Sequence, residues 1–180
     1  EKLPVEWLEQ AYGKWGTALY FKARGICEHS VIAEEEDCRS ISRETTLEED
    51  SVNPRFLKSV LSYLIEKATS QLRKENLYTR SVALKLRYSD FKTVTRHHTL
   101  CEPTDDDGII FHAVCDLFRK LFVRRTRVRL IGVSISSLGR SRFRQTDLFE
   151  QSSSERREHL FKGIDRIRDK YGFHSILKAG

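Results

Sequence analysis

The stretch RSVALKLRYSDFKTVTRHHTL, residues 80–100, decides the fold. In its first half Val82, Leu84, Leu86 and Tyr88 alternate with Ser81, Ala83, Lys85 and Arg87. That two-residue period belongs to a strand with one apolar face and one solvated face. Ser89-Asp90 is turn chemistry, so FKTVTRHHTL is expected to fold back as an antiparallel partner. Such a hairpin needs a cover for its apolar side, and the flanking segments supply one.

Upstream, after Asn53-Pro54, the residues Phe56, Leu57, Val60, Leu61, Leu64, Ile65, Ala68 and Leu72 recur at three- and four-residue steps. This spacing predicts a helix to about Lys74. Downstream, PTDDDG (103–108) places Asp105, Asp106 and Asp107 where an N-cap and first-turn carboxylates favour a helix start. Consecutive side chains diverge, so capping accounts for the three aspartates better than a metal site. The helix they open carries Ile110, Phe111, Val114, Leu117, Phe118 and Leu121. RVRLIGVSISSL (127–138) reads as a further strand with Gly132 as a bulge or close-approach point. Its apolar phase slips between Leu130 and Ile131, which fits a bulge there. CRSISRETTL (38–47) alternates loosely and suits a strand with one polar face.

The order is therefore β-α-β-β-α-β, an α+β fold with a four-stranded, mostly antiparallel sheet and two helices on one face. The other face is left free, and on the most legible strand it carries Lys85 and Arg87. At the N-terminal end LPVEWLEQAYGKWGTALYFKARGI (3–26) is helical, with Gly13 and Gly16 marking a bend or two shorter helices. The acidic EHSVIAEEEDC (28–38) has no helical period and reads as a linker. In the tail, Ser154 is an expected N-cap, and Leu160, Ile164, Ile167 and Tyr171 form a narrow stripe on a last helix expected to dock by it. Between strand and tail, FRQTDLFEQ (143–151) leaves Leu148-Phe149 in a loop with no pattern to bury them.

The length allows one ordinary domain or a small domain with appendages. Of 180 residues 39% are hydrophobic and 32% charged, enough for a core under a charged surface. The net charge of +6 points toward a polyanion. From Leu117 to Thr146 there are nine Lys and Arg and no acid, a run expected to form a phosphate-binding surface, with a solvated basic face as the alternative. There is no apolar run of membrane-span length and no signal-peptide pattern. Cys27, Cys38, Cys101 and Cys115 lack CxxC spacing and read as reduced thiols, and His112 with Cys115 lacks a second ligand pair for zinc. The chain contains no Met, so it is read as a processed protein or a piece of a longer one.

Several of these segments, in this order, resemble the C-terminal region of Y-family translesion DNA polymerases of the bacterial DNA polymerase IV (DinB) type. YGKWGTALYFKARGI is similar to the end of the thumb. RSISRETTLEED, LYTRSVALKLRYSDFKTVTRHHTL and VRLIGVSISSL are similar to strands of the little-finger domain. The likeness covers nearly all of residues 7–138. It implies a domain organisation of thumb end (1–30), linker (31–37), little finger (38–140), clamp-binding peptide segment (141–153) and helical tail (154–180).

The resemblance also implies roles. Arg39, Ser40, Ser42 and Arg43 on the first strand, Thr95, Arg96 and His98 on the third, and Arg129 on the last would lie along the backbones of primer–template duplex DNA without reading sequence. Lys85 and Arg87 join them from the free-face argument. Ser134 stands where relatives often carry Arg, and Leu130 is apolar where some add a charge. His98 replaces an Arg of many relatives, which makes its contact pH-dependent. Gln145, Asp147, Leu148 and Phe149 resemble the short peptide by which such polymerases attach to the bacterial sliding clamp.

Nothing in the sequence supplies the metal-holding carboxylates, phosphate-cradling glycine loop or nucleophile triad of an enzyme. The catalytic palm with its Mg2+, the fingers and the first part of the thumb would lie N-terminal to Glu1, in a cytoplasmic, nucleoid-associated bacterial parent. The alternative is a βαββαβ RNA-binding or protein-interaction module. An RNA-recognition sheet needs exposed stacking aromatics, whereas Tyr88 reads as core-facing and Phe91 is the other nearby aromatic.

Overall fold

The computed structural model describes residues 3–26, 38–124, 126–140 and 151–176, except for the side chains of 151–155. The chain divides into two compact units, Glu1–Asp37 and Cys38–Gly180. The first holds α1 (Val5–Tyr12) and α2 (Lys14–Ala23). They are two short helices because Gly13 between them adopts φ +58°, a conformation that ends a right-handed helix. A Cβ at Gly16 would stand 2.0 Å from the Leu8 carbonyl oxygen, so only glycine lets α2 approach α1 this closely.

The second unit runs β1 (Ser40–Ser51), α3 (Pro54–Lys74), β2 (Tyr78–Tyr88), β3 (Thr93–Thr104), α4 (Asp107–Leu121), β4 (Val128–Gly139) and α5 (Gln151–Tyr171), followed by a 3-10 turn at Phe173–Ser175. The sheet order is β1-β4-β2-β3 with every neighbouring pair antiparallel. Chain-distant β4 thus lies in the middle, between the first strand and the hairpin.

One face of this sheet is closed by α3 and α4. Val82, Leu84, Leu86 and Tyr88 of β2 and Ile131, Val133 and Ile135 of β4 meet Leu57, Leu61, Ile65 and Leu72 of α3 and Ile110 and Val114 of α4, all buried. Each such side chain stabilises the fold by about 1.5–3 kcal/mol relative to exposure. Tyr88 satisfies its hydroxyl by donating to the Leu121 carbonyl at 2.7 Å. The helix starts follow the expected chemistry. Asn53 Oδ1 accepts from the Arg55 amide at 2.9 Å, and Asp106 Oδ1 accepts from the Gly108 amide at 2.7 Å.

Two expectations need correction. The bulge of β4 lies at Arg129, between the pairs Arg87–Leu130 and Tyr88–Val128, and not at Gly132 or at the Leu130–Ile131 slip. Gly132 is the close-approach point: a Cβ there would stand 2.7 Å from Glu44 Cβ.

The second concerns the tail. α5 is already helical at Gln151, before Ser154, and it does not dock by its apolar stripe. Leu160, Ile167 and Tyr171 are 59%, 41% and 66% exposed, while Asp165 and Arg168 are buried. Asp165 pairs with Arg73, and Arg168 pairs with Glu66, both partners on α3. Buried ion pairs have demanding geometry. Here they set the rotation of the helix in preference to the stripe. Among the described residues, no helix is long and apolar enough to cross a membrane.

Candidate nucleic-acid interface

Among the described residues of this unit, no helix lies over the face of the sheet opposite α3 and α4, and strand register fixes which side chains share it. Reading across β1-β4-β2-β3, its rows are Ser40–Ser136–Ser81–Thr99, Ser42–Ser134–Ala83–His97, Glu44–Gly132–Lys85–Thr95 and Thr46–Leu130–Arg87–Thr93. Most of these side chains are short and carry a hydroxyl. A surface of this kind lets an extended anion approach the backbone closely and meet many small donors.

The cations sit at the centre and toward one end. Lys85 Nζ lies 2.8 Å from Glu44 Oε2, spanning the intervening strand above Gly132. The Lys85 and Glu44 side chains are 36% and 50% exposed, so the pair contributes only about 0.2–1 kcal/mol. Arg87 Nε donates to Thr93 Oγ1 at 2.9 Å. Ser42 Oγ and Ser134 Oγ are hydrogen-bonded at 2.8 Å. Around Gly132 the face dips into a hollow of about 180 Å³, lined among others by Ser42, Glu44, Ala83, Lys85, Thr95 and Ser134.

The expected residues do not all share this face. Ser40, Ser42, Lys85, Arg87 and Thr95 do. Arg43 pairs across from buried Val133, points to the helix side and donates to the Gln71 amide oxygen on α3. Arg96 and His98 lie opposite Leu84 and Val82, hence on the helix-facing side of edge strand β3, where both remain exposed at its margin. Arg39 is exposed just before β1 begins.

Arg129, at the bulge, stacks 5.1 Å from the Phe91 ring centroid and stands 3.8 Å from Asp50. His97 also lies on this face, by the same alternation that assigns Thr95 to it. Gln145, Asp147, Leu148 and Phe149 lie outside the described residues.

Among the described residues, the basic run from Leu117 does not make one cationic surface. Arg119 and Lys120 ride on α4 in the helix layer, with Arg119 paired to Asp116. Arg124 pairs with Asp90 at the β2–β3 turn at 2.7 Å and stacks over the Tyr88 ring at 4.8 Å. That bond holds the Asp90 carboxyl below the usual carboxylate range. It also raises the Arg124 guanidinium. Burial pushes the Tyr88 phenol up.

The four rows carry no Phe, Tyr or Trp side chain; Phe91, 66% exposed, sits in the β2–β3 turn with φ +61°. Among the described residues no group of three or more His, Cys, Asp or Glu side chains could hold a metal ion.

Residues 39–148 match the model of the impB/mucB/samB family C-terminal domain. The DNA polymerase IV of Dehalococcoides mccartyi is 38% identical over 176 residues, covering 97% of this chain and 44% of that protein. The DNA polymerase IV of Desulfatibacillum aliphaticivorans is 34% identical over 180 residues, covering 99% of this chain and 45% of that protein. The chain thus spans less than half the length of these curated relatives. Among solved structures, a complex of a β-clamp processivity factor with the little finger domain of PolIV aligns with 61% of this chain and 98% of the matched chain, at 23% identity and a TM-score of 0.46.

Proposed function

The chain belongs to the impB/mucB/samB family of C-terminal domains, and on that premise we propose that it is the DNA-holding and clamp-tethering portion of a longer Y-family translesion DNA polymerase. The observation that carries the DNA half is the uncovered sheet face, with its rows of hydroxyls and its Lys85 and Arg87. Small donors and cations on a flat surface favour phosphate oxygens over base edges, so the grip is indifferent to sequence. Template-directed nucleotidyl transfer, with its Mg2+, belongs to the rest of the longer protein.

Salt titration of primer–template binding tests this reading. The affinity is expected to fall steeply between low and high salt, and the Lys85→Ala/Arg87→Ala variant to bind more weakly with a shallower salt slope. Affinity unchanged across the salt range would sink it. A preference for single-stranded RNA over duplex DNA would put the RNA-binding module in its place.

The clamp half rests on Gln145, Asp147, Leu148 and Phe149. An extended peptide can insert Leu148 and Phe149 into an apolar pocket while Gln145 gives a directed hydrogen bond. Burying the pair is worth roughly 1.5–3 kcal/mol per side chain before the cost of ordering the segment, which suits a reversible tether. Binding to a bacterial sliding clamp by the wild type and not by Leu148→Ala/Phe149→Ala is the expected outcome. Equal binding by both proteins would remove this peptide from the interface.

A further inference from the structure

Glu44 on β1 and Lys85 on β2 are separated by β4, yet their side chains meet at 2.8 Å because the residue between them is Gly132. The glycine does more than permit the sheet to form. It leaves the hollow in which an acid, a cation and the hydroxyl-bearing Ser42, Ser134 and Thr95 converge. Ser42 Oγ and Ser134 Oγ share one hydrogen bond, and whichever hydroxyl accepts keeps its own proton available to an anion.

We propose that this hollow seats one phosphate group of the DNA backbone, and that Glu44 acts as the built-in competitor that the phosphate must displace from Lys85. The proposal rests on the DNA-holding reading above and adds a regulated contact to it. A half-exposed ion pair is screened by solvent and lightly held, so a phosphate with several donors can break it. While the pair stands, Lys85 is neutralised and the Glu44 carboxylate repels the backbone. Grip on the duplex is thereby weakened, and DNA can move across the face between binding events.

The test is a salt titration of duplex binding with wild type, Glu44→Gln, Glu48→Gln, Lys85→Ala and the double variant Glu44→Gln/Lys85→Ala. Glu48 is an exposed carboxylate on the same strand outside the hollow, and it reports the generic effect of removing a negative charge. Glu44→Gln is expected to tighten binding roughly two- to fivefold more than Glu48→Gln does. It should also steepen the slope of log K against log salt by about 0.9, the counterion released when Lys85 takes a phosphate. Neither change should survive in the Lys85→Ala background.

Equal gains from Glu44→Gln and Glu48→Gln overturn the competitor, as does a gain that persists without Lys85. In both cases the wild type still binds DNA and the broader reading stands. Absence of salt-dependent binding by the wild type overturns both.

Discussion

Arg73 grips the Asp165 carboxylate with two hydrogen bonds, from Nε at 2.5 Å and from Nη2 at 3.1 Å. Its Nη1 reaches Asp107 Oδ1 at 2.8 Å and the Asp105 carbonyl at 3.0 Å. One guanidinium therefore ties α3 to the start of α4 and to the middle of α5. Burial works against its charge, but the hydrogen bonds and charges of Asp165 and Asp107 outweigh it and raise its proton affinity above that of an ordinary arginine. Deprotonation of Arg73 is not a route to releasing the tail at any ordinary pH.

Removal of its partner is such a route. Arg73 and Asp165 side chains are only 8% and 12% exposed, so Asp165→Ala leaves a largely buried guanidinium short of a counter-charge. Breaking a buried pair from one side costs about 3–5 kcal/mol. Urea denaturation should place Asp165→Ala toward that range, with Asp165→Asn losing less because it keeps an acceptor. Amide exchange across α5 should rise in the same variant. A loss under about 1 kcal/mol with α5 still protected would assign the docking to Arg168 and Glu66 instead.

A methyl group at Gly132 should be costly for a different reason. The added Cβ would stand 2.7 Å from Glu44 Cβ, a separation that forces β1 away from β4. Overpacking of this kind costs about 1–3 kcal/mol. Gly132→Ala should lower the thermal midpoint and separate Glu44 from Lys85. An unchanged midpoint would mean that the edge strand yields without penalty.

Face assignment makes a sharper prediction about DNA. Arg87 lies on the uncovered face, whereas Arg43 is turned to the helix side and bonded to Gln71. Arg87→Ala should reduce the salt slope of duplex binding by about 0.9. Arg43→Ala should leave the slope unchanged and appear instead as a loss of stability. Equal slopes for wild type and Arg87→Ala would count against the uncovered face as the binding surface.

The same contrast explains what the sequence makes legible. Element order, the two covering helices and the Asp106 cap follow from periodicity and local hydrogen-bonding chemistry, which act over a few residues. Within one strand a two-residue period also fixes faces, and applied strictly it separates Thr95 from Arg96 and His98 and joins it to His97. Family likeness grouped residues by position along the chain and so mixed the two faces. The Arg129 bulge and the Glu44–Lys85 pair depend on register between strands distant in sequence. No local pattern carries that information. For α5 the apolar stripe was legible, but partners on α3, some ninety residues earlier, turned a different face inward.

Cys115 offers a check on the packing of α4 that does not involve DNA. Burial pushes its thiol pKa up, and the opposing pull of Lys58 and Arg119 does not cancel it. The thiolate is the reacting species, so alkylation of Cys115 should lag behind that of exposed Cys38 and Cys101, with its rate rising only above the ordinary thiol range. The sign of the linked stability follows. A folded pKa above the unfolded one favours the neutral thiol, so this contribution is present below the ordinary thiol pKa and is lost as pH rises through the folded value. Mass spectrometry of iodoacetamide-treated protein across pH 7 to about 10 reads the order of modification directly. Modification of Cys115 ahead of the two exposed thiols would mean that α4 lifts from the sheet far more often than its buried Ile110, Val114 and Leu117 imply.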